Sequence, residues 1–297
     1  MIRNPKESVL IDPAQMGFEP VDGGRMWLDC RFHGPLNQAG LVGFEQVMAK
    51  AEGRCEKWLD DREVWHLRIP AAGDQARGLY LKKHHVRTWD SRLRALLGVQ
   101  PGPTPARIEA SNVAALTTEG IAVMRLIAYG EKLRADGLQE SFVITEELEN
   151  FTELHHYLRR RFTLSAAGRR SDRDHDLRQL IGEIARIARQ FHAAGYNHRD
   201  LYCCHFLVKD MAPRRREIRL IDLQRVQCRR WFRRRWIVKD LAQLAWSAPR
   251  CSIKSTHKMA FIREYFGVRK LLPVHKRLIR AVLAKQRRME RRLGIEN

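Results

Sequence analysis

Asp200 and Asp222 are the residues whose setting speaks most directly of chemistry. Asp200 lies in Asn197-His198-Arg199-Asp200-Leu201-Tyr202-Cys203-Cys204-His205-Phe206-Leu207-Val208, and Asp222 in Leu220-Ile221-Asp222-Leu223-Gln224. A carboxylate at the start of a short loop between apolar segments can accept a proton from an attacking hydroxyl. One at the end of an Ile/Leu-rich strand can hold a metal ion on donor phosphates. Asp200 alone reads as an ordinary helix cap or a loop carboxylate paired with its neighbour Arg199. Both together, in this order, form the arrangement that phosphoryl transfer from ATP requires.

Such groups need rigid elements behind them. Leu177, Leu180, Ile181, Ile184, Ala188 and Phe191 recur at helical spacing, so a helix capped by Asp172 or Asp174 and ended by Gly195 should deliver the chain to the Asp200 loop. Upstream, Val64 to Ile69 and Gly78 to Lys83 predict two strands joined by a turn at Ala72-Gly73-Asp74. Alternation puts Leu79 and Leu81 on one face and Tyr80 and Lys82 on the other, which singles out Lys82, with Lys83 and His84 as rivals. Pro101, Pro103 and Pro105 mark a linker into a helix from Ala106 to Leu116 carrying Glu109, with Glu119 as its rival. Phe142 to Leu148 reads as a short buried strand running into Glu146 and Glu147, a natural hinge. Residues 1–25 lack periodicity and read as a loose extension, 26–148 as a β-rich lobe, and 149–297 as a helical lobe ending in a basic amphipathic helix from Val274 to Leu293. The fold class expected is α+β.

Fifty-five Lys and Arg against 34 acidic residues give a formal charge of +21, which calls for an anionic partner: nucleic acid, a phosphate-bearing substrate or an acidic membrane face. The six cysteines are scattered and Met1-Ile2-Arg3-Asn4-Pro5 opens no secretory pattern, so the thiols read as reduced and the protein as cytoplasmic. Apolar runs such as Ile121 to Met124 stop far short of a membrane span, leaving only peripheral membrane contact. Cys203 and Cys204 are adjacent and His155-His156 lacks ligand spacing, which argues against zinc. No Gly-x-Ser-x-Gly elbow supports a hydrolase.

Lysine on a strand, glutamate on the next helix, acidic hinge, His-Arg-Asp loop and Ile-Asp at a strand end follow the order of the protein kinase-like, two-lobed fold. The spelling Asn197 to Leu207, with Leu220-Ile221-Asp222-Leu223-Gln224-Arg225-Val226-Gln227, Leu79-Tyr80-Leu81-Lys82 and Lys239-Asp240-Leu241-Ala242, resembles the lipopolysaccharide core kinase family, the Kdo/heptose kinases. The resemblance implies Asp200 as the catalytic carboxylate and Asp222 as the Mg²⁺ ligand. It implies Lys82, paired with Glu109, on the ATP phosphates, with Glu146 at the hinge and His205 also among the cofactor-binding residues. Asp240 would support the catalytic loop from the helix below. His205 stands where most protein kinases carry a metal-binding asparagine, and reads as a loop organiser or secondary metal contact. No Gly-rich phosphate loop precedes Val64; Gly53 stands alone.

The implied activity is ATP-dependent phosphorylation of a heptose or Kdo sugar of the lipopolysaccharide core, at the cytoplasmic face of the inner membrane. Arg229-Arg230-Trp231-Phe232-Arg233-Arg234-Arg235-Trp236 interleaves charge with aromatics, as single-stranded nucleic-acid binders do. Its place just after Asp222 makes an anionic glycolipid the more economical partner, and nucleic acid ranks below it. A kinase for a protein or another small glycoside, and a kinase-fold binding protein without turnover, are the alternative readings.

Overall fold

The structure, a computed structural model, describes residues 16–50, 52–70, 76–87, 102–164, 170–229, 231–249 and 253–292. These fall into two units, one holding residues up to 118 together with 124–149, the other holding 119–123 together with 150 onward. Both are mixed: the first is rich in sheet, the second in helix.

The sheet unit runs β1 (Phe18–Val21), β2 (Met26–Asp29), α1 (His33–Gln38), α2 (Phe44–Ala49), β3 (Arg54–Leu59), β4 (Arg62–Pro70), β5 (Ala76–Val86), α3 (Pro105–Thr118), β6 (Leu126–Leu133) and β7 (Gln139–Glu146). Its seven strands lie in the order β1-β2-β6-β7-β5-β4-β3. The alternation read from Leu79 to Lys82 holds. Leu79 and Leu81 are fully buried in a core with Met26, Leu28, Phe44, Phe142 and Ile144, while Lys82 emerges on the other face, where α3 packs on the sheet. The turn at Ala72-Gly73-Asp74 and Pro101 of the linker lie outside the described residues. Phe18–Val21, read as part of a loose extension, is instead a strand: it pairs with β2 from Phe18↔Asp29 to Val21↔Met26, and its Phe18 is buried. Four residues are too short to show periodicity, so only the partner strand reveals them. At the opposite edge β3 is exposed along its whole length and carries a bulge between Cys55 and Lys57.

The helical unit follows with β8 (Thr152–Glu153), α4 (Leu154–Leu158), α5 (Arg170–Ala193), β9 (Tyr196–Asn197), β10 (Phe206–Ala212), β11 (Arg215–Leu220), β12 (Gln227–Cys228), α6 (Arg233–Ser247), α7 (Ser255–Phe266) and α8 (Pro273–Arg292). Helix α5 buries Leu177, Leu180, Ile184, Ala188 and Phe191, and its exit turns at Gly195 with φ +99°. Neither Asp172 nor Asp174 caps it, because the helix begins at Arg170. Asp174 instead binds Arg178 at 2.9 Å, His257 at 3.0 Å and Lys254 at 3.1 Å, tying α5 to the start of α7. Helix α6 begins at Arg233, ahead of the apolar stretch at Leu241, because the arginines continue the helix on its exposed side. Helix α8 turns Leu278, Ile279, Val282 and Leu283 onto its own unit, where they wall a largely apolar cavity of about 690 Å³ with residues from α4, α5, α6 and α7. Among the described residues no helix is long and apolar enough to cross a membrane. Cys30, Cys55, Cys203 and Cys204 are free thiols; Cys251 lies outside the described residues.

Candidate active site

In the sheet unit, Lys82 on β5 and Glu109 on α3 meet. Lys82 Nζ donates to Glu109 Oε1 at 2.7 Å, and Glu109 is fully buried although charged. A buried carboxylate persists only with such a partner, so the pair fixes the lysine's position as well as α3 on the sheet. The rivals are engaged elsewhere. Lys83 donates to the Lys50 carbonyl at 2.6 Å, and burial pulls His84 down to about 4. Glu119 belongs to the other unit, where its carbonyl accepts from Gln190. Glu146 is not brought to Lys82. It sits opposite Leu79 in the register, which puts its side chain on the core face of the sheet, within 3.6 Å of Arg77 and of Arg125. The turn between β3 and β4 carries Asp60 and Asp61, a sequence unsuited to cradling phosphate with backbone N–H groups.

In the helical unit, the loop after β9 holds Asp200 and the turn after β11 holds Asp222. The loop is anchored from α6: Asp240, fully buried, accepts the backbone N–H of His198 and of Arg199, each at 2.8 Å, and contacts His192 Nε2 at 3.3 Å. This clamp holds Arg199 at φ +71°, a left-handed conformation that costs a non-glycine residue about 1–2 kcal/mol. Asp222 is likewise left-handed, at φ +57°. His198, wholly buried, stacks on His205 with ring centroids 5.5 Å apart and bonds through Nε2 to the Ile221 carbonyl at 3.2 Å. His198 therefore spans from the Asp200 loop to the residue before Asp222.

His205 does the same with more consequence. Its Nδ1 lies 2.6 Å from the Asp200 carbonyl, which can only accept, so in the neutral ring Nδ1 carries the hydrogen and Nε2 keeps its lone pair. That lone pair faces Asp222 Oδ2 at 3.7 Å. Two acceptors set opposite each other are a donor set for a cation. A carboxylate suits Mg²⁺, which takes hard oxygen ligands and keeps several waters; the imidazole serves less well as a direct ligand than through a bound water. The residues fit a Mg²⁺ ion held chiefly by Asp222.

The Asp200 carboxylate is surrounded by donors that the motif reading did not single out. Arg225 Nη1 lies 2.7 Å from Oδ2, while Lys239 Nζ at 3.6 Å and Gln243 Nε2 at 3.4 Å approach Oδ1. Lys239 also donates to the Arg199 carbonyl, and burial pulls its ammonium below the usual lysine range. Arg225 stands three residues after Asp222 and Lys239 immediately before Asp240, both inside stretches that carried the resemblance, so proximity to the aspartates was the available signal. Cys203 is a buried thiol whose ionisation is pushed up to about 12 by burial, which removes it as a nucleophile. Glu153 joins His155 and His156 with ligand atoms within 4.8 Å of one another, a juxtaposition the spacing of the two histidines did not foreshadow.

His198 has a pH signature. Burial lowers it from 6.5 to about 4, so between those values the unfolded chain binds a proton that the folded one refuses. Stability should therefore fall as pH drops from 6.5 toward 4, with this residue contributing up to about 3 kcal/mol. Denaturant midpoints across that range should show the slope, and His198→Gln should flatten part of it; His84 and His155, also lowered by burial, contribute to the remainder. An unchanged profile in the variant would contradict the assignment.

Comparison with known proteins places this geometry in context. Residues 46–265 match the Lipopolysaccharide kinase (Kdo/WaaP) family. The chain is 33% identical over 231 residues to the lipopolysaccharide core heptose(I) kinase WaaP of Pseudomonas aeruginosa, covering 76% of this chain and 81% of the relative. To the enzyme of the same name from Escherichia coli it is 30% identical over 258 residues, covering 85% and 93%. A solved structure described as WaaP in complex with acyl carrier protein superimposes with a TM-score of 0.67 at 30% identity, over 91% of this chain and 99% of that one. The fold is thus α+β and protein kinase-like.

Proposed function

The chain belongs to the lipopolysaccharide kinase (Kdo/WaaP) family, and from that membership we propose that it transfers the γ-phosphoryl group of ATP to a sugar hydroxyl of the lipopolysaccharide core. The relatives' names favour a heptose over Kdo as the acceptor. The observation that carries the reading is the construction of the helical unit's loop: a carboxylate ringed by cations, with a second carboxylate beside it, 3.7 Å from the His205 imidazole.

In this reading Asp200 orients the acceptor hydroxyl and takes its proton. Arg225 and Lys239 balance negative charge at that point, which is worth most where charge builds up on the transferring group. Mg²⁺, when bound, neutralises the donor phosphates, and Asp222 with His205 would hold it. Lys82, held by Glu109, contacts the α and β phosphates. Glu146, its carboxylate engaged with Arg77 and Arg125, is left a main-chain role in nucleotide binding. The acceptor's anchoring in lipid makes the cytoplasmic face of the inner membrane the place of work, through peripheral contact.

Transfer of label from γ-labelled ATP to purified lipid A-core, in Mg²⁺ and detergent, tests this. Labelled glycolipid is the expected result. Unlabelled glycolipid with nucleotide binding intact would move the reading to another acceptor or to a kinase-fold binding protein.

The apolar cavity supports a second partner. Its volume of about 690 Å³ and its lining by residues such as Leu154, Ile184, Leu244, Phe261 and Ile279 suit a hydrocarbon chain, and the solved relative was captured with acyl carrier protein. We infer that this chain also receives an acyl carrier protein, with the acyl group in the cavity. Ala245→Trp, which sets an indole among the residues lining the cavity, should reduce co-purification of that protein; undiminished capture would overturn the inference.

A further inference from the structure

Between Asp222 and Asp240 the sequence holds six arginines and one lysine and no acidic residue. At the middle of this run Trp231 is 75% exposed and Phe232 87%, the two most exposed large apolar side chains among the described residues. Neighbouring aromatics left so open are unusual, because Trp and Phe ordinarily recover 150–250 Å² of burial each. The backbone is committed to this display. Phe232 is left-handed, at φ +53°, an uncommon conformation for an aromatic residue, and it immediately precedes the first residue of α6.

The residues flanking the pair in sequence are cationic. Trp236 is half-buried, and the guanidinium groups of Arg199, Arg229 and Arg235 lie 5.0, 4.8 and 4.9 Å from its ring. Arg233 is tied to the His192 carbonyl, and Arg234 is exposed. Two exposed aromatics flanked by arginines combine the two signals of an interfacial membrane anchor: rings that sit at headgroup level, and charge that matches anionic lipid. From Phe232 to Lys239 is seven residues, about 10 Å along α6. The same helix thus carries the aromatic pair at its start and the Asp200 partners Lys239 and Gln243 further on.

We propose that Trp231 and Phe232 form a wedge by which the protein docks on an anionic phospholipid bilayer, inserting both rings at the interface while Arg229, Arg234 and Arg235 meet the headgroups. The choice of a bilayer as occupant rests on the reading above that the acceptor is lipid-borne. The wedge would hold α6, and with it the Asp200 loop, at the surface from which such an acceptor projects.

Sedimentation with vesicles of phosphatidylcholine, with and without phosphatidylglycerol, tests the wedge on the full chain. Wild type should bind the anionic vesicles, and Trp231→Ser with Phe232→Ser should weaken binding roughly 10- to 100-fold with an unchanged thermal midpoint. Arg234→Gln should weaken it about fivefold and make it less sensitive to salt. Trp231→Phe should keep most of the binding but reduce the quenching of tryptophan emission by brominated lipid. Undiminished vesicle binding by the double variant overturns the proposal. So does a double variant that loses acyl carrier protein while keeping vesicles, which would make the patch a protein contact. The two readings fail separately. If the vesicle contrast holds but no glycolipid is labelled, the acceptor is wrong and the wedge stands. If both proteins label detergent-dispersed glycolipid and bind vesicles alike, the wedge is wrong and the acceptor stands.

Discussion

Asp200→Asn is expected to leave a folded, nucleotide-binding protein whose kcat falls about 10²–10⁴-fold, the range general-base catalysis supplies. Asparagine keeps the shape of the side chain and an oxygen for Gln243 or Arg225, so the loop has little reason to move. What it loses is the ability to take a proton and the negative charge that faces Arg225 at 2.7 Å and Lys239 at 3.6 Å. Initial rates at saturating ATP and acceptor isolate the effect. A kcat within a few-fold of wild type would remove Asp200 from the chemistry and leave it as an ion-pairing residue of the loop.

Asp240→Ala is expected to be the most damaging single truncation for the helical unit. The buried backbone N–H of His198 and the half-buried one of Arg199 lose their acceptor, and His192 loses a contact. Each orphaned donor costs about 1–3 kcal/mol, so the variant should lose roughly 2–6 kcal/mol, read as a shift in denaturant midpoint. Activity should fall further than stability, because Arg199 is free to leave its left-handed conformation once the clamp is gone. Asp240→Asn keeps one acceptor oxygen and should lie between. A truncated variant with wild-type stability would show that water replaces the carboxylate, and the clamp would lose its standing.

The residues of the Asp200 loop were legible because their placement is set over short distances: an apolar helix, a glycine exit and a short loop leave few alternatives. Lys82 and Glu109 were legible in type, since strand alternation selects a face, but their pairing depends on where α3 lands on the sheet. Glu146 shows the limit of that logic. Its proximity to the hinge was readable, yet the register that turns its carboxylate to the core face is a property of β5 and β7 together. Arg225 and Lys239 stood in the motif stretches beside the two aspartates, but that their side chains reach Asp200 depends on how the turn after β11 and helix α6 meet its loop. The strand Phe18–Val21 and the cavity under α8 were hidden for a related reason, since each exists only through elements distant in sequence.

The edge strand β3 bears on how this protein behaves at high concentration. A fully exposed strand at the end of a seven-stranded sheet offers unpaired backbone groups to any passing chain. Here Arg54, Glu56 and Lys57 alternate charge along it, and the bulge at Cys55 and Lys57 breaks the flat register that a second copy would need to add a strand. Charge and curvature therefore close this edge among the described residues, and self-association through it is discouraged even though Trp58 and Leu59 at the end of β3 lie open.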